Sequence, residues 1–400
     1  MISKKMEPLF QNNSGIRAMF EEGLRMAKEV GPENVFDFSL GNPNIPAPAD
    51  VGRAIKELVD TEDPIRLHGY MPNQGFPDVR KTLADALNRK HGTAFTEKNL
   101  IMAVGAASAL NMVLKTILDD GDEVIVFAPY FVEYGHYIRN YGGVPVTVHA
   151  DETTFLPDMA RLREKLNAKT KAVIINTPNN PTGVVYPAET LKALSDTLSA
   201  AEKEFGHPIV LISDEPYREL VYDGKEVPYV TKFYNDTAVC YSYSKSLSLP
   251  GERIGYVVIP DEMEDSDRVI QTAVIANRIM GSVNAPSLMQ KVVAMCVDTD
   301  LSDNVACYDR NRKELYRILK EAGFEALYPE GAFYMWIKTP VPDKEFVALC
   351  KKHYILVVPG SSFEGSGYVR AAYCVSEETI KRSEKAWRAV AEELRAAGKM

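Results

Sequence analysis

The sequence has no excess of positive charge. Acids outnumber bases, 55 to 46, for a formal net charge of −9. That balance excludes nucleic acid as the default partner and a basic face for a membrane surface. No apolar run reaches the length of a membrane span. The start of the chain, Met1-Ile2-Ser3-Lys4-Lys5-Met6-Glu7-Pro8, has no apolar core of the kind a secretory signal needs. Cysteine is scarce, with five in 400 residues: Cys240, Cys296, Cys307, Cys350 and Cys374. None stands in Cys-x-x-Cys spacing or pairs with histidine as zinc ligands do, so no metal site is expected. The expectation is a cytoplasmic protein with reduced cysteines. Internal repeats and low-complexity tracts are absent as well.

What remains is an ordinary globular composition, 46% hydrophobic and 25% charged. The length exceeds what one core usually fills, which predicts two domains. An amphipathic helix opens at Ser14-Gly15 and ends at Gly31-Pro32. A strand over 35–40 runs into the Pro/Asn-rich loop Gly41-Asn42-Pro43-Asn44. That loop is either a linker or a backbone that must approach a ligand closely at Gly41. Helices are predicted over 50–59 and 77–90, with a turn segment from His68 to Gly75 between them.

From residue 100 the pattern becomes strand, helix, strand. Strands are predicted at 100–104, 123–127, 144–148, 172–175, 209–212 and 238–240, and helices at 109–118, from Val132, 158–166 and 188–205. Continuous Val/Ile/Leu runs without alternation mark strands covered on both faces. Their alternation with helices predicts an α/β fold with a mainly parallel sheet sandwiched by helices. Beyond residue 286 the rhythm changes to long helices and later strands, read as a smaller α+β domain. The expected division is 46–296 for the large domain, with 1–45 and 297–400 forming the small one.

Ligands of open α/β sheets sit beyond the carboxyl ends of the strands. Four polar groups follow strand ends here: Gly105-Ala106-Ala107, Asn176 to Gly183, Ser213-Asp214-Glu215-Pro216-Tyr217, and Ser242 to Lys245. The last places one lysine among small hydroxyl residues, with Arg253 soon after. A lysine beside hydroxyls and an arginine suits an amine nucleophile next to a phosphate, which suggests pyridoxal phosphate. Such a cofactor needs a carboxylate at its ring nitrogen (Asp214), donors to its ring hydroxyl (Asn180, Tyr217), an aromatic lid (Tyr130-Phe131) and backbone N–H groups at a helix start for its phosphate (Ala106, Ala107). Arg370, in the otherwise apolar strand Tyr368 to Tyr373, suits a bidentate carboxylate. Plainer readings stand beside these: a turn cap for Asp214, core packing for Tyr130-Phe131, and solvent exposure for Arg370.

These segments together resemble the fold-type I, class I/II pyridoxal-phosphate aminotransferases. The resemblance is carried by Asn180-Pro181-Thr182-Gly183, Asp214-Glu215-Pro216-Tyr217, Ser242-x-Ser244-Lys245, Arg253-Ile254-Gly255-Tyr256, Val369-Arg370, and the Tyr-x-Pro-x-x-Gly segment from Tyr70 to Gly75. It implies a ping-pong amino transfer between an L-amino acid and a 2-oxo acid. Lys245 would hold the internal aldimine and carry the proton, and Asp214 would keep the ring nitrogen protonated. Asn180 and Tyr217 would bond the ring hydroxyl, and Phe131 would stack on the ring. Ala106, Ala107, Ser242, Ser244 and Arg253 would bind the phosphate. Arg370, with Gly41 and Asn180, would hold the α-carboxylate. Tyr70 would reach the phosphate of a neighbouring subunit, which implies a homodimer with shared sites.

The chain departs from the family where Ala106-Ala107 replaces a frequent hydroxyl and Phe131 a frequent tryptophan. Asn277 to Asn284 loosely resembles the segment where dicarboxylate-specific members place an arginine, though one residue long, which makes Arg278 a candidate for a distal carboxylate. Aspartate-like, aromatic and alanine-type donors stay open. A carbon–sulfur β-lyase on the same fold is the alternative reaction. A non-catalytic regulator is the alternative class, and the acidic chain without an added DNA-binding segment speaks against it.

Overall fold

The computed structural model describes residues 1–11 and 15–400, so the expected helix start at Ser14 lies outside the described residues. The chain divides into two compact units. The larger comprises Ile45–Asn179 and Val184–Val305; the smaller comprises Met1–Asn44, Asn180–Gly183 and Ala306–Met400.

The strands, in chain order, are β1 (Phe36–Asp37), β2 (Leu100–Ala103), β3 (Glu123–Ala128), β4 (Val144–His149), β5 (Thr170–Asn176), β6 (Val210–Asp214), β7 (Thr237–Ser242), β8 (Gly255–Val258), β9 (Ala326–Leu327), β10 (Tyr334–Lys338), β11 (Ile355–Leu356), β12 (Val358–Pro359) and β13 (Tyr368–Ala372).

The larger unit is built on a seven-stranded sheet in the order β2-β8-β7-β6-β5-β3-β4. Strands β3 to β7 are parallel, and β8 lies antiparallel between β2 and β7. The apolar runs behave as their sequence demands: β2, β6, β7 and β8 are buried along their whole length. Helices Gly105–Ile117 and Ser266–Ile279 cover one face, with Leu110, Val113, Ile270 and Ala273 in its core. Helices Ala49–Thr61, Pro77–His91 and Ser287–Met295 cover the other, with Val51, Leu83, Val292 and Val293. The expected β and α elements of the parallel stretch are present with ends shifted by a few residues. Strand β8 and helix Ser266–Ile279 stand outside the sequence reading. Short β8 lies between the turn signals Pro250-Gly251 and Pro260-Asp261.

The smaller unit carries an antiparallel sheet in the order β12-β13-β10-β9, and a parallel pair β1-β11. Its helices are Gly15–Val30, Ser302–Ala322, Asp343–Lys352 and Glu377–Ala396. The last begins as its sequence predicts, with Ser376 as N-cap accepting from Thr379 N–H at 3.0 Å and two acids in the first turn. The expected strand over 35–40 is shorter. Only Phe36–Asp37 pair, because Ser39 turns its own N–H and hydroxyl onto Asp37 Oδ1 (2.9 and 2.6 Å).

The domain boundaries differ from the expected 46–296 in two places. Val297 and Leu301 pack against the core of the larger unit, so the division falls after Val305. Residues Asn180–Gly183 belong to the smaller unit, where the Gly183 carbonyl accepts the N–H groups of Glu330 (3.0 Å) and Gly331 (2.9 Å).

Candidate active site

The register of the large sheet brings the predicted strand ends together on one edge. Asn176 pairs with Asp214, and Asp214 with Cys240, two residues before Ser242. Ser242 pairs with Gly255, and Gly255 with Ala103, two residues before the helix that starts at Gly105. Gly255 is required by this crowding. A methyl group there would lie 2.2 Å from the Tyr241 carbonyl, 3.1 Å from Gly105 Cα and 3.2 Å from Ser242 Cα.

Helix Gly105–Ile117 has no side-chain cap. The N–H groups of its first turn, those of Ala106 and Ala107 among them, have no acceptor within the helix and face the positive end of its dipole. The Arg253 guanidinium lies over this turn, close enough that a methyl group on Gly105 would meet Nη2 at 2.9 Å. Arg253 is anchored by Nη1 donating to Pro250 O at 3.0 Å. Ser242 and Ser244 are both buried and share a hydrogen bond between hydroxyls at 2.6 Å, and Ser242 caps the short helix Tyr243–Ser246 by accepting from Ser244 N–H. Uncapped amides, two hydroxyls and a guanidinium make a cradle for a phosphate dianion. Lys245 sits in that helical turn, half-buried.

Asp214 ends β6 with 6% of its surface exposed. Its Oδ2 accepts from Tyr134 Oη at 2.5 Å, and its Oδ1 is buried with no hydrogen-bond partner among the described residues. Burial pushes the carboxyl up to about 7, against the opposing effect of the Tyr134 bond. Tyr134 is held far above the usual phenol range by burial and by Asp214, so it stays a donor. A lone buried carboxylate oxygen wants a cationic N–H donor. A pyridinium ring nitrogen is such a donor, and the cradle fits the phosphate of the same molecule, so these residues fit pyridoxal phosphate.

Tyr217 is buried in the turn after β6, and its carbonyl accepts from Leu220 N–H. Phe131 is half-buried after β3 and meets Tyr134 edge-on, centroids 5.6 Å apart. Tyr70 is almost wholly exposed, at 96%. Its loop is fixed to the edge strand by Met102 N–H on Gln74 O (2.8 Å) and by Asn284 Nδ2 on Pro72 O (3.0 Å). Arg278 is exposed in the last turn of helix Ser266–Ile279.

Gly41, Asn180 and Arg370 lie in the smaller unit. Arg370 is not solvent-facing: it is 2% exposed in the middle of β13. Its Nη1 donates to Asn180 Oδ1 at 3.0 Å and its Nη2 to Ser39 O at 2.6 Å. The guanidinium is sandwiched between Tyr334 and Phe363, 4.4 and 4.9 Å from their centroids. Gly41 passes so close that a methyl group there would sit 2.1 Å from Tyr334 Oη. This is a prebuilt anion clamp: a guanidinium held flat by aromatic walls and oriented by two acceptors.

Tyr134, Tyr334 and Phe363 were absent from the sequence reading. For Tyr134 a signal existed, an aromatic three residues after Phe131 at a helix start. For Tyr334 and Phe363 none did, since each reads as strand or loop core.

Among the described residues there is no cluster of His, Cys, Asp and Glu that could hold a metal ion, and no helix long and apolar enough to cross a membrane.

The family model for aminotransferase class I and II matches residues 33–385. A probable aspartate/prephenate aminotransferase of Thermus aquaticus is 35% identical over 320 residues, 78% of this chain and 81% of its own. Among solved structures, an amino transferase from Eubacterium rectale is 45% identical with a TM-score of 0.95, covering 98% of this chain and 99% of its own. The aspartate aminotransferase from Thermus thermophilus with maleate is 28% identical with a TM-score of 0.85, over 94% of this chain and 97% of its own.

Proposed function

The chain belongs to the class I and II aminotransferases, and from that premise we propose that it moves the amino group of an acidic or aromatic L-amino acid to a 2-oxo acid, with Lys245 as the proton carrier. It is a pyridoxal-phosphate enzyme. When bound, the cofactor supplies an aldehyde that accepts the amino group and a protonated ring that stabilises charge at the α-carbon.

The observation that carries the site assignment is Asp214: a buried carboxylate with one oxygen satisfied by Tyr134 and the other open, on the sheet edge that ends in Lys245. Asp214 Oδ1 accepts the ring N–H and keeps that proton in place, while Tyr134 holds the carboxylate in position. The first-turn amides at Ala106 and Ala107, with Ser242, Ser244 and Arg253, take the phosphate, and Tyr217 donates to the ring hydroxyl. Phe131 covers the ring face. Lys245 Nζ would take the proton from the α-carbon of the bound amino acid and pass it to the cofactor within the same half-reaction, and would carry a proton the opposite way in the second. Arg370 takes the α-carboxylate in bidentate fashion, with Asn180 and Ser39 orienting the fork.

The donor class rests on the named activity of the Thermus aquaticus relative, an aspartate/prephenate aminotransferase. Arg278 is assigned the distal carboxylate of an acidic donor, and its exposure suits presentation across a subunit boundary. Tyr70, projecting at 96% exposure from a pinned loop, is the corresponding reason to assign a homodimer with shared sites. A cytoplasmic location is part of the same reading.

The test is a half-reaction screen of the holoenzyme. Each amino acid is mixed without acceptor and the visible spectrum of the bound cofactor is followed. Aspartate, glutamate and aromatic acids are expected to convert it, with one turnover per site. Continuous release of ammonia and a 2-oxo acid without an acceptor would overturn the transferase assignment in favour of a lyase. Arg278→Ala is expected to lower kcat/KM for aspartate while sparing phenylalanine. An equal loss for both would remove Arg278 from substrate recognition.

A further inference from the structure

One partner of the Arg370 guanidinium is a backbone carbonyl whose direction is set by a side chain with no role in the reaction so far. Ser39 is wholly buried, and its carbonyl accepts from Arg370 Nη2 at 2.6 Å. Two residues earlier, Asp37 Oδ1 accepts both the Ser39 N–H, at 2.9 Å, and the Ser39 hydroxyl, at 2.6 Å. Two bonds from one residue to one carboxylate oxygen close a side-chain-to-backbone turn and leave Ser39 little freedom to rotate.

The residue between them is pinned on both sides. Phe38 N–H donates to Leu356 O at 2.9 Å, and Phe38 O accepts from Ala372 N–H at 2.8 Å, two residues beyond Arg370. Asp37 itself pairs with Leu356 in the β1–β11 register. Ser39 takes no part in that pairing, because its N–H is turned back onto Asp37. The chain then runs to Gly41, which passes against Tyr334, an aromatic wall of the same guanidinium. The turn at Asp37 thus lies directly upstream of both backbone approaches to the clamp.

Asp37 occupies a place made for it. Helix Gly15–Val30 crosses it at Gly23, where an added methyl group would lie 2.9 Å from Asp37 Oδ2 and 2.8 Å from Leu356 Cδ1. Glycine is a poor residue for a helix interior, and here its missing side chain leaves room for the carboxylate. The two Ser39 bonds are the only hydrogen bonds of the Asp37 side chain among the described residues. Burial pushes its carboxyl above the ordinary range, and only those bonds oppose this. The carboxylate therefore has one occupation, the turn it closes.

We propose that Asp37 is a positioning residue for the substrate: it locks Ser39 so that the Ser39 carbonyl holds the Arg370 fork in the orientation that takes the α-carboxylate. This rests on Arg370 being the carboxylate clamp.

The experiment follows the half-reaction of the holoenzyme through the visible spectrum of the bound cofactor, with L-glutamate, L-aspartate and L-phenylalanine as probes. Asp37→Ala is expected to raise the Kd of each reactive probe at least about tenfold, with the limiting rate and the cofactor affinity within about twofold of wild type. Asp37→Asn keeps an acceptor oxygen for Ser39 and is expected to stay within about threefold of wild type. Ser39→Ala removes the hydroxyl bond but not the carbonyl, and is expected to raise Kd at least about threefold. In an Arg370→Ala background the Ser39 carbonyl has no fork to hold. There Asp37→Ala is expected to change the second-order rate constant of conversion by less than about twofold. Losses that multiply in the double variant would overturn the proposal, as would cofactor affinity falling as far as substrate affinity, the mark of a turn that serves only the fold. So would unchanged substrate affinity in Asp37→Ala, or in Ser39→Ala if Asp37→Ala does not fold, and so would an Asp37→Asn no better than Asp37→Ala. Unchanged affinity in Arg370→Ala alone would overturn the clamp and the Asp37 assignment together, whereas loss in Arg370→Ala without loss in Asp37→Ala would remove Asp37 only.

Discussion

Asp214 combines two facts that pull against each other: a carboxylate sealed from water, and an oxygen with no donor. Its folded-state pKa, about 7, is above its ordinary 3.8 because of burial. An acid raised in this way contributes stability that is fully present below about 4 and is lost as pH rises through about 7, because the unfolded chain then gives up its proton more readily than the fold does. For the apoprotein the loss is on the order of 4 kcal/mol. Wild-type apoprotein is therefore expected to lose melting temperature between about pH 4 and about pH 7, and Asp214→Asn to lose markedly less. If the two melting curves run parallel across that range, Asp214 is not the ionising group. Loading the cofactor should restore wild-type stability at the upper pH and do little for Asp214→Asn, which cannot offer a charge to the ring N–H.

Two further predictions concern single side chains. Lys245→Ala is expected to lose the long-wavelength absorbance of bound cofactor and at least about 10⁴ in kcat, the scale of removing a general acid–base group; a coloured, active variant would end its assignment. Arg370→Lys keeps the charge but not the fork, and is expected to raise the amino-acid Kd roughly 100-fold, about 2.7 kcal/mol. Cofactor affinity should stay within about twofold on the same scale. A spectral titration measures both, and unchanged substrate affinity would remove Arg370 from the clamp. At this scale the sequence offered candidates where a role needs a specific atom, as with Lys245, Asp214 and Arg370. It was silent on Tyr334 and Phe363, because an aromatic in a strand or loop reads equally as core, and only the fold says what its ring meets.

At the scale of elements, the site is a property of strand ends. Parallel β5, β6 and β7 finish on one edge, and each delivers a side chain there: Asn176, Asp214, Ser242. Continuous apolar runs made these strands legible, because burial on both faces leaves no alternation. Antiparallel β8 was not part of the sequence reading. Yet β8 completes the cradle, since Gly255 lets β7 and the start of helix Gly105–Ile117 approach its backbone. Gly255→Ala is accordingly expected to cost on the order of 2 to 3 kcal/mol and to weaken cofactor binding at least tenfold. Gly251→Ala, where an added methyl meets nothing within 4 Å, should change neither. Equal melting temperatures and cofactor affinities for the two variants would show that the close approach is not needed.

For the molecule as a whole, the assignment that reaches furthest is the shared site of a homodimer, in which Tyr70 serves a neighbouring subunit. It predicts complementation. Lys245→Ala and Tyr70→Ala are each expected to be impaired alone. A hybrid of the two carries one site with both native residues, and is expected to recover about half the wild-type activity per dimer on the ordinary per-site scale. Hybrids no more active than the parents would place Tyr70 in its own subunit's site or outside any site.

The class of fold and the mainly parallel sheet were legible in the sequence alone, and the resemblance of its motifs offered Lys245, Asp214 and Arg370 as candidates. Those features follow from residues near one another in the chain: an apolar run, a helix start, a lysine among hydroxyls. The tertiary structure alone decided the rest. It closed the smaller unit around Asn180–Gly183 through the Glu330 and Gly331 amides, buried Arg370 against Tyr334, and set Tyr134 on Asp214. Each of these is a meeting of residues tens to hundreds of positions apart, and no local propensity encodes such a meeting before the core has packed.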